Sequence, residues 1–333
     1  MSAPLTPYEH GTTLLRDGRE LGWAAFGDPD GDAVFWFHGT PGGRAQLPFD
    51  AERYAREHRL RIIGVERPGT GDSTRYRYQQ VLEFVDDFRE VADDLRAERF
   101  ACVGLSGGGP FVLAVAHEMA DRMVCGAVLG GIGPTRGADA ILSHTLLLVP
   151  AAGLLERVAE PLGNGVSSLI RHLAPYADTA VDLFFKLQPG DRRAMDERPL
   201  DKRQMTADLI DANHRSGLYA PFEDLILFGK HWGFELNEIT VPITFYAGNS
   251  DVIVPYLHAE RQAKRVPKAR LRTHQGRGHF AGYTSTEEVL ADLRQAWPEV
   301  PGTKPKPTGR ARKAPARKPT AQTGRSARRT TGA

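Results

Sequence analysis

The segment CVGLSGGGPF (102–111) places one serine among glycines, directly after an apolar run. The run before the serine has the composition of a strand buried on both faces, and Pro110 suits the first turn of a helix. Gly104 and Gly108 flank Ser106 two residues away on either side, so no Cβ atom separates the strand from the helix. A Gly-x-Ser-x-Gly sequence between a strand and a helix predicts a serine nucleophile at a sharp turn.

Two glycine-rich motifs of other chemistry do not match this segment. A dinucleotide-binding fingerprint requires glycine where Ser106 stands, and a Walker A loop ends in Gly-Lys followed by Ser or Thr. A serine in a glycine-rich turn with no catalytic role is the alternative that the segment alone leaves open. If Ser106 is the nucleophile, the N–H of Gly107 at the start of the helix is placed to stabilise an oxyanion.

Apolar strands and amphipathic helices alternate along the chain on both sides of the serine. An antiparallel pair at 12–16 and 19–26 is joined by Asp17-Gly18, which suits the positive φ values of a tight hairpin turn. The following strands and helices are expected at 33–37, 45–58, 61–65, 79–97, 100–105, 107–119, 124–129, 241–248, 269–276 and 286–297. This alternation predicts an α/β protein with a mostly parallel central sheet that helices cover on both faces.

The alternation stops after residue 133, and a helical pattern replaces it up to residue 228. Helices are expected there at 141–155, 177–187, 201–214 and 222–228. An insertion of this kind predicts a helical cap over one end of the sheet. The expected domains are a core of residues 1–133 and 229–299, a cap of residues 134–228 and a tail of residues 300–333.

The near-neutral charge of the chain is an average of two different parts. The sequence holds 43 Lys and Arg, 41 Asp and Glu, and a formal net charge of +2. Residues 301–333 contain ten of the basic residues and no acid, which leaves 33 basic against 41 acidic residues and a net charge of −8 elsewhere. This tail has no large apolar side chain and is predicted to be disordered. Its charge suits weak binding to nucleic acid, polyphosphate or anionic lipid, and a merely solubilising extension is an equal alternative.

Composition also bears on the compartment. Hydrophobic residues make up 41% of the chain and charged residues 25%, which excludes a fully disordered protein. Cys102 and Cys125 each lie in a predicted buried strand and are expected to be free thiols. The start of the chain lacks a basic segment followed by an apolar one, and charged and helix-breaking residues interrupt the apolar stretch 138–155. We expect neither a signal peptide nor a membrane span, and a cytoplasmic protein.

Four further segments occur in an order that is typical of one superfamily. They are HGTPGG (38–43), RPGTGDS (67–73), GNSDVIVP (248–255) and GRGHF (276–280). With the serine motif they resemble the α/β-hydrolase superfamily over residues 12–298, apart from the cap. The resemblance implies the α/β-hydrolase fold and the branch with a serine nucleophile and a helical cap, which includes esterases and proline iminopeptidases.

The resemblance also implies roles for individual residues. Ser106, Asp251 and His279 match the triad of the superfamily in chain order, with His279 as the base and Asp251 as the residue that orients it. By position, Thr40 provides the second oxyanion N–H. The remaining motif residues support this site through loop shape or close approach, and they are His38, Gly39, Pro41, Gly104 and Gly108.

The expected reaction is hydrolysis of a carboxylic ester or a related small acyl compound through an acyl-enzyme. Epoxide hydrolases and haloalkane dehalogenases of this fold carry aspartate where Ser106 stands. Proline iminopeptidases typically carry Gly where Thr40 stands and Trp after the serine. A proline-iminopeptidase-like aminopeptidase and a carbon–carbon bond hydrolase stay open, as does a non-enzymatic ligand-binding or tethering protein that uses the basic tail.

No cofactor is expected, and no metal-binding motif is present in the sequence. The cap is expected to shape the substrate site. Its apolar residues either line an acyl pocket or form the core of the cap itself, and they are Leu146, Leu147, Leu148, Leu154, Leu155, Phe184, Phe185 and Phe228.

Overall fold

The structure is a computed structural model that describes residues 4–141, 143 and 176–297. Contacts between Cα atoms group the chain up to Pro298 into one compact unit. Most of the helix expected at 141–155 and the whole tail lie outside the described residues, as do the five cap leucines. The division into core, cap and tail stays a prediction.

An eight-stranded sheet forms the centre of the described chain, with strand order β1-β2-β4-β3-β5-β6-β7-β8. Its strands are β1 Glu9–Leu14, β2 Glu20–Gly27, β3 Asp32–Phe37, β4 Leu60–Val65, β5 Phe100–Leu105, β6 Met123–Leu129, β7 Ile243–Gly248 and β8 Ala269–His274. Strand β2 pairs antiparallel with β1 and with β4, and the remaining neighbours pair parallel. The mostly parallel sheet expected from the sequence is confirmed.

Nine α-helices lie in the described ranges. They are α1 Ala51–Glu57, α2 Phe84–Asp94, α3 Gly109–Glu118, α4 Ala177–Lys186, α5 Pro189–Asp196, α6 Pro199–Asn213, α7 Tyr219–Phe228, α8 Leu257–Arg265 and α9 Thr286–Ala296. Within these ranges, no helix has both the length and the apolar character that crossing a bilayer requires.

Side chains alternate across the central strands and build a separate core on each face of the sheet. In β3, Phe35 and Phe37 join one core with helices α2, α3 and α8, and Trp36 joins the other with α1 and α9. Phe35 and Phe88 meet edge to face with ring centroids 4.8 Å apart, a geometry that adds about 0.5–1.5 kcal/mol beyond area burial. Helices therefore cover both faces, as the apolar strands predict.

The two cysteines are free and buried. Cys102 in β5 belongs to the core that contains Phe35, whereas Cys125 in β6 belongs to the core that contains Trp36. Because they lie on opposite faces of the sheet, their side chains do not pair. Burial raises the pKa of the Cys125 thiol to about 12.

The structure corrects the start of one predicted helix and adds two helices. Helix α1 begins at Ala51 and not at residue 45, because the preceding loop directs its N–H groups to distant carboxylates: Ala45 donates to Asp208 (2.9 Å) and Phe49 to Asp201 (2.7 Å). Helices α5 and α8 were not predicted from the sequence. Both are short and rich in charged residues, so apolar periodicity does not mark them.

Candidate active site

Ser106 lies at the junction of β5 and α3 in a strained backbone conformation. Its φ is +51°, in the left-handed region that residues other than glycine rarely adopt. A Cβ atom at Gly104 would lie 2.5 Å from the Gly108 carbonyl oxygen, and one at Gly108 would lie 2.2 Å from the Phe37 carbonyl oxygen. Only glycine fits at these two positions, and the close approach exposes Ser106 at the carboxyl end of the sheet.

His279 and Asp251 form a buried pair at the same end of the sheet. Asp251 follows β7, His279 follows β8, and His279 Nδ1 lies 2.7 Å from Asp251 Oδ2. The other oxygen of Asp251 accepts the N–H groups of Ile253 (2.8 Å) and Val254 (2.9 Å). Because the carboxylate accepts from Nδ1–H, the Nε2 atom of His279 is left to accept a proton.

Two opposing effects act on the imidazole of His279. Burial lowers its pKa, but the charge and hydrogen bond of Asp251 and the charge of Asp191 raise it, and the net result is a pKa above the ordinary 6.5. The pair therefore stabilises the imidazolium that forms when the ring accepts a proton.

Ser106 and His279 line one cavity of about 350 Å³. Within the described residues, no hydrogen bond joins Ser106 Oγ to His279. Helices α4 and α6 form one wall of the cavity with the apolar side chains of Ala180, Val181, Phe184, Phe185, Met205 and Leu209. The other apolar lining residues are Leu105, Ile253 and Phe280. Of the three cap phenylalanines singled out in the sequence, Phe184 and Phe185 line this cavity and Phe228 does not.

The loop after β3 lies against the serine turn. A Cβ atom at Gly39 would be 3.5 Å from Ser106 Cβ, and one at Gly107 would be 2.4 Å from Thr40 Oγ1. The N–H of Gly39 donates to Gln46 Oε1 (2.6 Å), whereas the N–H of Thr40 has no acceptor in the described part of the chain. The structure thus brings Thr40 and Gly107 together beside Ser106, as an oxyanion site requires.

Two buried side chains, Arg67 and Asp224, form hydrogen bonds with this loop. Arg67 donates to the carbonyl oxygens of His38 (2.7 Å) and Gly39 (3.0 Å). It also pairs with Asp224 of α7, with Nη2 and Oδ2 2.6 Å apart, and the same carboxylate accepts the Thr40 hydroxyl (2.7 Å). The sequence placed Arg67 in one of the motifs that resemble the superfamily but did not identify Asp224, which lies next to Glu223 in α7.

His38 is held in one neutral form. Its Nδ1–H donates to the Gly39 carbonyl oxygen (2.8 Å), and its Nε2 faces the N–H of Arg67 (3.4 Å). Burial and the nearby Arg67 charge lower the pKa of His38 well below 6.5. His38 therefore acts on the shape of the loop and not on proton transfer.

Buried aspartates on α5 and α6 accept further backbone N–H groups from loops around the cavity. Asp191 accepts those of His279 (2.7 Å) and Phe280 (2.9 Å), and Asp208 accepts those of Gly43 (2.8 Å) and Ala45 (2.9 Å). Burial raises the pKa of Asp208 to about 7. No sequence motif marks either aspartate, because its partners are far away in the chain.

A second serine–histidine pair lies outside the cavity. Gly133 N–H donates to His258 Nδ1 (2.9 Å), so the ring proton is on Nε2, which lies 2.7 Å from Ser143 Oγ. An imidazole that donates to a hydroxyl cannot accept its proton. In this respect the pair of Ser143 and His258 differs from Ser106 and His279, because His258 cannot act as the base for Ser143.

Among the residues that the structure describes, no three His, Cys, Asp or Glu side chains are grouped so that they could hold a metal ion. The expectation of a site without metal or cofactor stays a prediction.

The family model for the alpha/beta hydrolase fold matches residues 32–286. The chain belongs to the alpha/beta hydrolase family. The matched range begins at β3 and ends at the first residue of α9, so it contains Ser106, Asp251 and His279.

Curated relatives of this alpha/beta hydrolase include proline iminopeptidases. One from Arabidopsis thaliana is 31% identical over 137 residues, which is 39% of this chain and 34% of that relative. The chain thus spans about a third of the length of this relative. Another, from Neisseria gonorrhoeae, is 28% identical over 310 residues, which is 86% of this chain and 94% of that relative.

Solved structures with this fold include esterases. An esterase from Exiguobacterium antarcticum superimposes with a TM-score of 0.62 at 18% sequence identity, and the match covers 86% of this chain and 100% of the esterase. At this identity the likeness shows the fold alone. Together these findings show membership of the alpha/beta hydrolase family and the fold of that family.

Proposed function

We propose that this hydrolase cleaves carboxylic esters, or related neutral acyl compounds, through a covalent acyl-enzyme on Ser106. The observation that carries the proposal is that Ser106, at φ +51°, and His279, paired with Asp251 at 2.7 Å, line the same cavity. A nucleophile, a base and an orienting carboxylate are the parts that acyl transfer requires.

The proposed reaction has two steps. Ser106 Oγ attacks the carbonyl carbon while His279 Nε2 takes the hydroxyl proton, and the N–H groups of Thr40 and Gly107 stabilise the oxyanion. The C–O bond to the alcohol then breaks, and His279 gives its proton to the leaving oxygen. Water next attacks the acyl carbon with His279 as the base, which releases the acid and restores Ser106.

The walls of the cavity favour an ester over a peptide with a charged amino terminus. The described residues that line it include no Asp, Glu, Lys or Arg side chain. An ammonium group without a counterion in an apolar cavity is strongly disfavoured, whereas a neutral acyl chain gains about 25 cal/mol per Å² of apolar surface that it buries.

Aminopeptidase activity is the second candidate. It is supported by the relatives named proline iminopeptidase, one of which aligns over 86% of this chain. The two candidates differ in the substrate that enters the cavity and share the same nucleophile.

The test combines labelling and turnover on the full chain. We expect a fluorophosphonate probe to label the parent protein and the Ser143→Ala variant but not Ser106→Ala. Ser143 is the matched control because its hydroxyl lies 2.7 Å from a histidine, His258, whose ring donates to it and cannot act as its base. A labelled Ser106→Ala protein would overturn the assignment of the nucleophile.

Turnover then separates the two candidates. We expect hydrolysis of p-nitrophenyl esters of short and medium acyl chains, with little hydrolysis of L-proline p-nitroanilide. If the anilide has the higher kcat/KM, the ester proposal is wrong and the aminopeptidase stands.

A further inference from the structure

Asp191 has an unusual environment for a carboxylate. It lies near the start of α5, only 2% exposed, and its two oxygens accept two consecutive backbone N–H groups from another part of the chain. Oδ2 lies 2.7 Å from the N–H nitrogen of His279, and Oδ1 lies 2.9 Å from that of Phe280. A carboxylate held by two N–H donors is a strong and directional contact.

Two glycines allow this contact. A Cβ atom at Gly190 would lie 2.5 Å from the backbone nitrogen of Gly278, and one at Gly278 would lie 2.4 Å from Asp191 Oδ2. A side chain on either residue would push the helix away from the loop. The fit therefore depends on glycine at both positions and on a carboxylate at Asp191.

A second contact links the loop that carries His279 to helix α4. The ring of Phe280 packs edge to face on Phe185 of α4, with centroids 5.1 Å apart, and Phe280 also packs on the imidazole of His279 (5.2 Å). Helix α4 forms a wall of the cavity and is joined to α5 through Leu187 and Gln188. The loop that carries His279 thus contacts both α4, which lines the cavity, and α5, which directly follows α4 in the chain.

Asp191 also adds charge near the base. Two carboxylates act on the imidazole of His279: Asp251, which lies at its Nδ1, and Asp191, which accepts its backbone N–H. Both raise the pKa of the imidazole. Burial raises the pKa of Asp191 itself, and the two N–H groups and His279 oppose that rise.

We infer that Asp191 is a positioning residue for His279, which fixes the loop so that the imidazole faces Ser106 and couples the loop, through α5, to the adjoining helix α4 that lines the cavity. The inference rests on the proposed function, because it takes His279 as the base. Asp191 does not touch the reacting atoms, so it acts through the backbone of His279 and through its charge.

The principal test is Asp191→Asn. Asparagine has the same shape, but it has no charge and only one oxygen, so one of the two N–H groups faces an amide NH2 group. We expect kcat for a p-nitrophenyl ester to fall on the order of tenfold with KM little changed, since small misplacement of a reacting group is costly. We also expect the acid limb of the kcat/KM profile to move to lower pH, because a carboxylate that raises the pKa of His279 is gone.

Asp201→Asn is the matched control. Asp201 is also a buried aspartate near the start of a helix that accepts a core N–H, that of Phe49, but it contacts neither His279 nor Phe280. We expect this variant to keep the parental acid limb. An equal loss of kcat in both variants with an unmoved acid limb would show a merely structural role and overturn the inference.

The outcomes separate this inference from the proposed function. If Ser106→Ala retains esterase activity, the proposed function fails. If Ser106 is essential but folded Asp191→Asn keeps the parental kcat and acid limb, only the inference fails.

Gly190→Ala keeps the test valid if Asp191→Asn does not fold. The added Cβ displaces α5 from Gly278 while the carboxylate remains, so kcat should fall with a smaller shift of the acid limb. Parental kcat in folded Gly190→Ala would overturn the inference.

Discussion

Replacement of Gly108 by alanine tests whether close approach of the serine turn to β3 creates the site. The new Cβ would lie 2.2 Å from the carbonyl oxygen of Phe37 and 2.9 Å from that of His38. Both are backbone atoms, so no side chain can rotate away. Ordinary contact begins at 3.4 Å, so the turn and the end of β3 must separate by about 1.2 Å.

That separation acts on the site directly, because the loop that begins at His38 continues into Thr40 beside Ser106. Misplacement of a catalytic group by about 1 Å can cost on the order of 100-fold in rate. Overpacking of a filled interior costs about 1–3 kcal/mol of unfolding free energy. We expect kcat for a p-nitrophenyl ester to fall by about two orders of magnitude, more than the loss of stability alone explains.

The assay compares kcat at saturating ester with urea unfolding of the same preparation. Gly11→Ala in β1 is the matched control, because its Cβ would meet Trp23 Cζ2 at 3.5 Å, an ordinary contact. We expect that variant to keep the parental kcat. A folded Gly108→Ala protein with kcat within about twofold of the parent would refute the reasoning.

Three further predictions concern buried charge. Burial raises the pKa of Glu66 and of Asp208 to about 7, above their unfolded values, so the protonated groups stabilise the fold at acidic pH and this stabilisation is lost as the pH rises through 7. The free energy of unfolding in urea should fall from pH 5 to pH 8 by up to about 3 kcal/mol for each group, and Glu66→Gln should flatten this pH dependence. Asp224→Asn leaves the Arg67 guanidinium without its carboxylate, so the free energy of unfolding should fall by about 3–5 kcal/mol; an unchanged urea midpoint would contradict this. The acid limb of kcat/KM should lie above pH 6.5, because the pKa of His279 is raised and the base must be neutral; a limb below 6.5 would contradict the charge assignment.

The sequence alone was sufficient for the fold class and for the residues of the proposed triad. Strands such as β3 and β5 are short apolar runs, and glycines around Ser106 restrict the backbone to few conformations, so both leave a local pattern. Asp251 and His279 were predicted from the resemblance of their segments to the superfamily, and parallel strands end at the same edge of a sheet, so residues after β7 and β8 lie near the turn after β5.

The short helices α5 and α8 are a different case. Their sequences, PGDRRAMD and LHAERQAKR, are mostly polar, and few positions face the interior. So short and polar a segment contains too few apolar residues to predict a helix from their spacing, and packing against neighbouring elements supplies the stabilisation that local sequence does not.

Tertiary structure alone decided which polar side chains hold the site. Asp191 and His279 are separated by 88 residues, and Arg67 and Asp224 by 157 residues, yet each pair is in direct contact. In the sequence these aspartates look like any acidic residue on a helix. Their role arises because burial makes an unpaired N–H, guanidinium or carboxylate costly, and only the folded chain determines which donor reaches which acceptor.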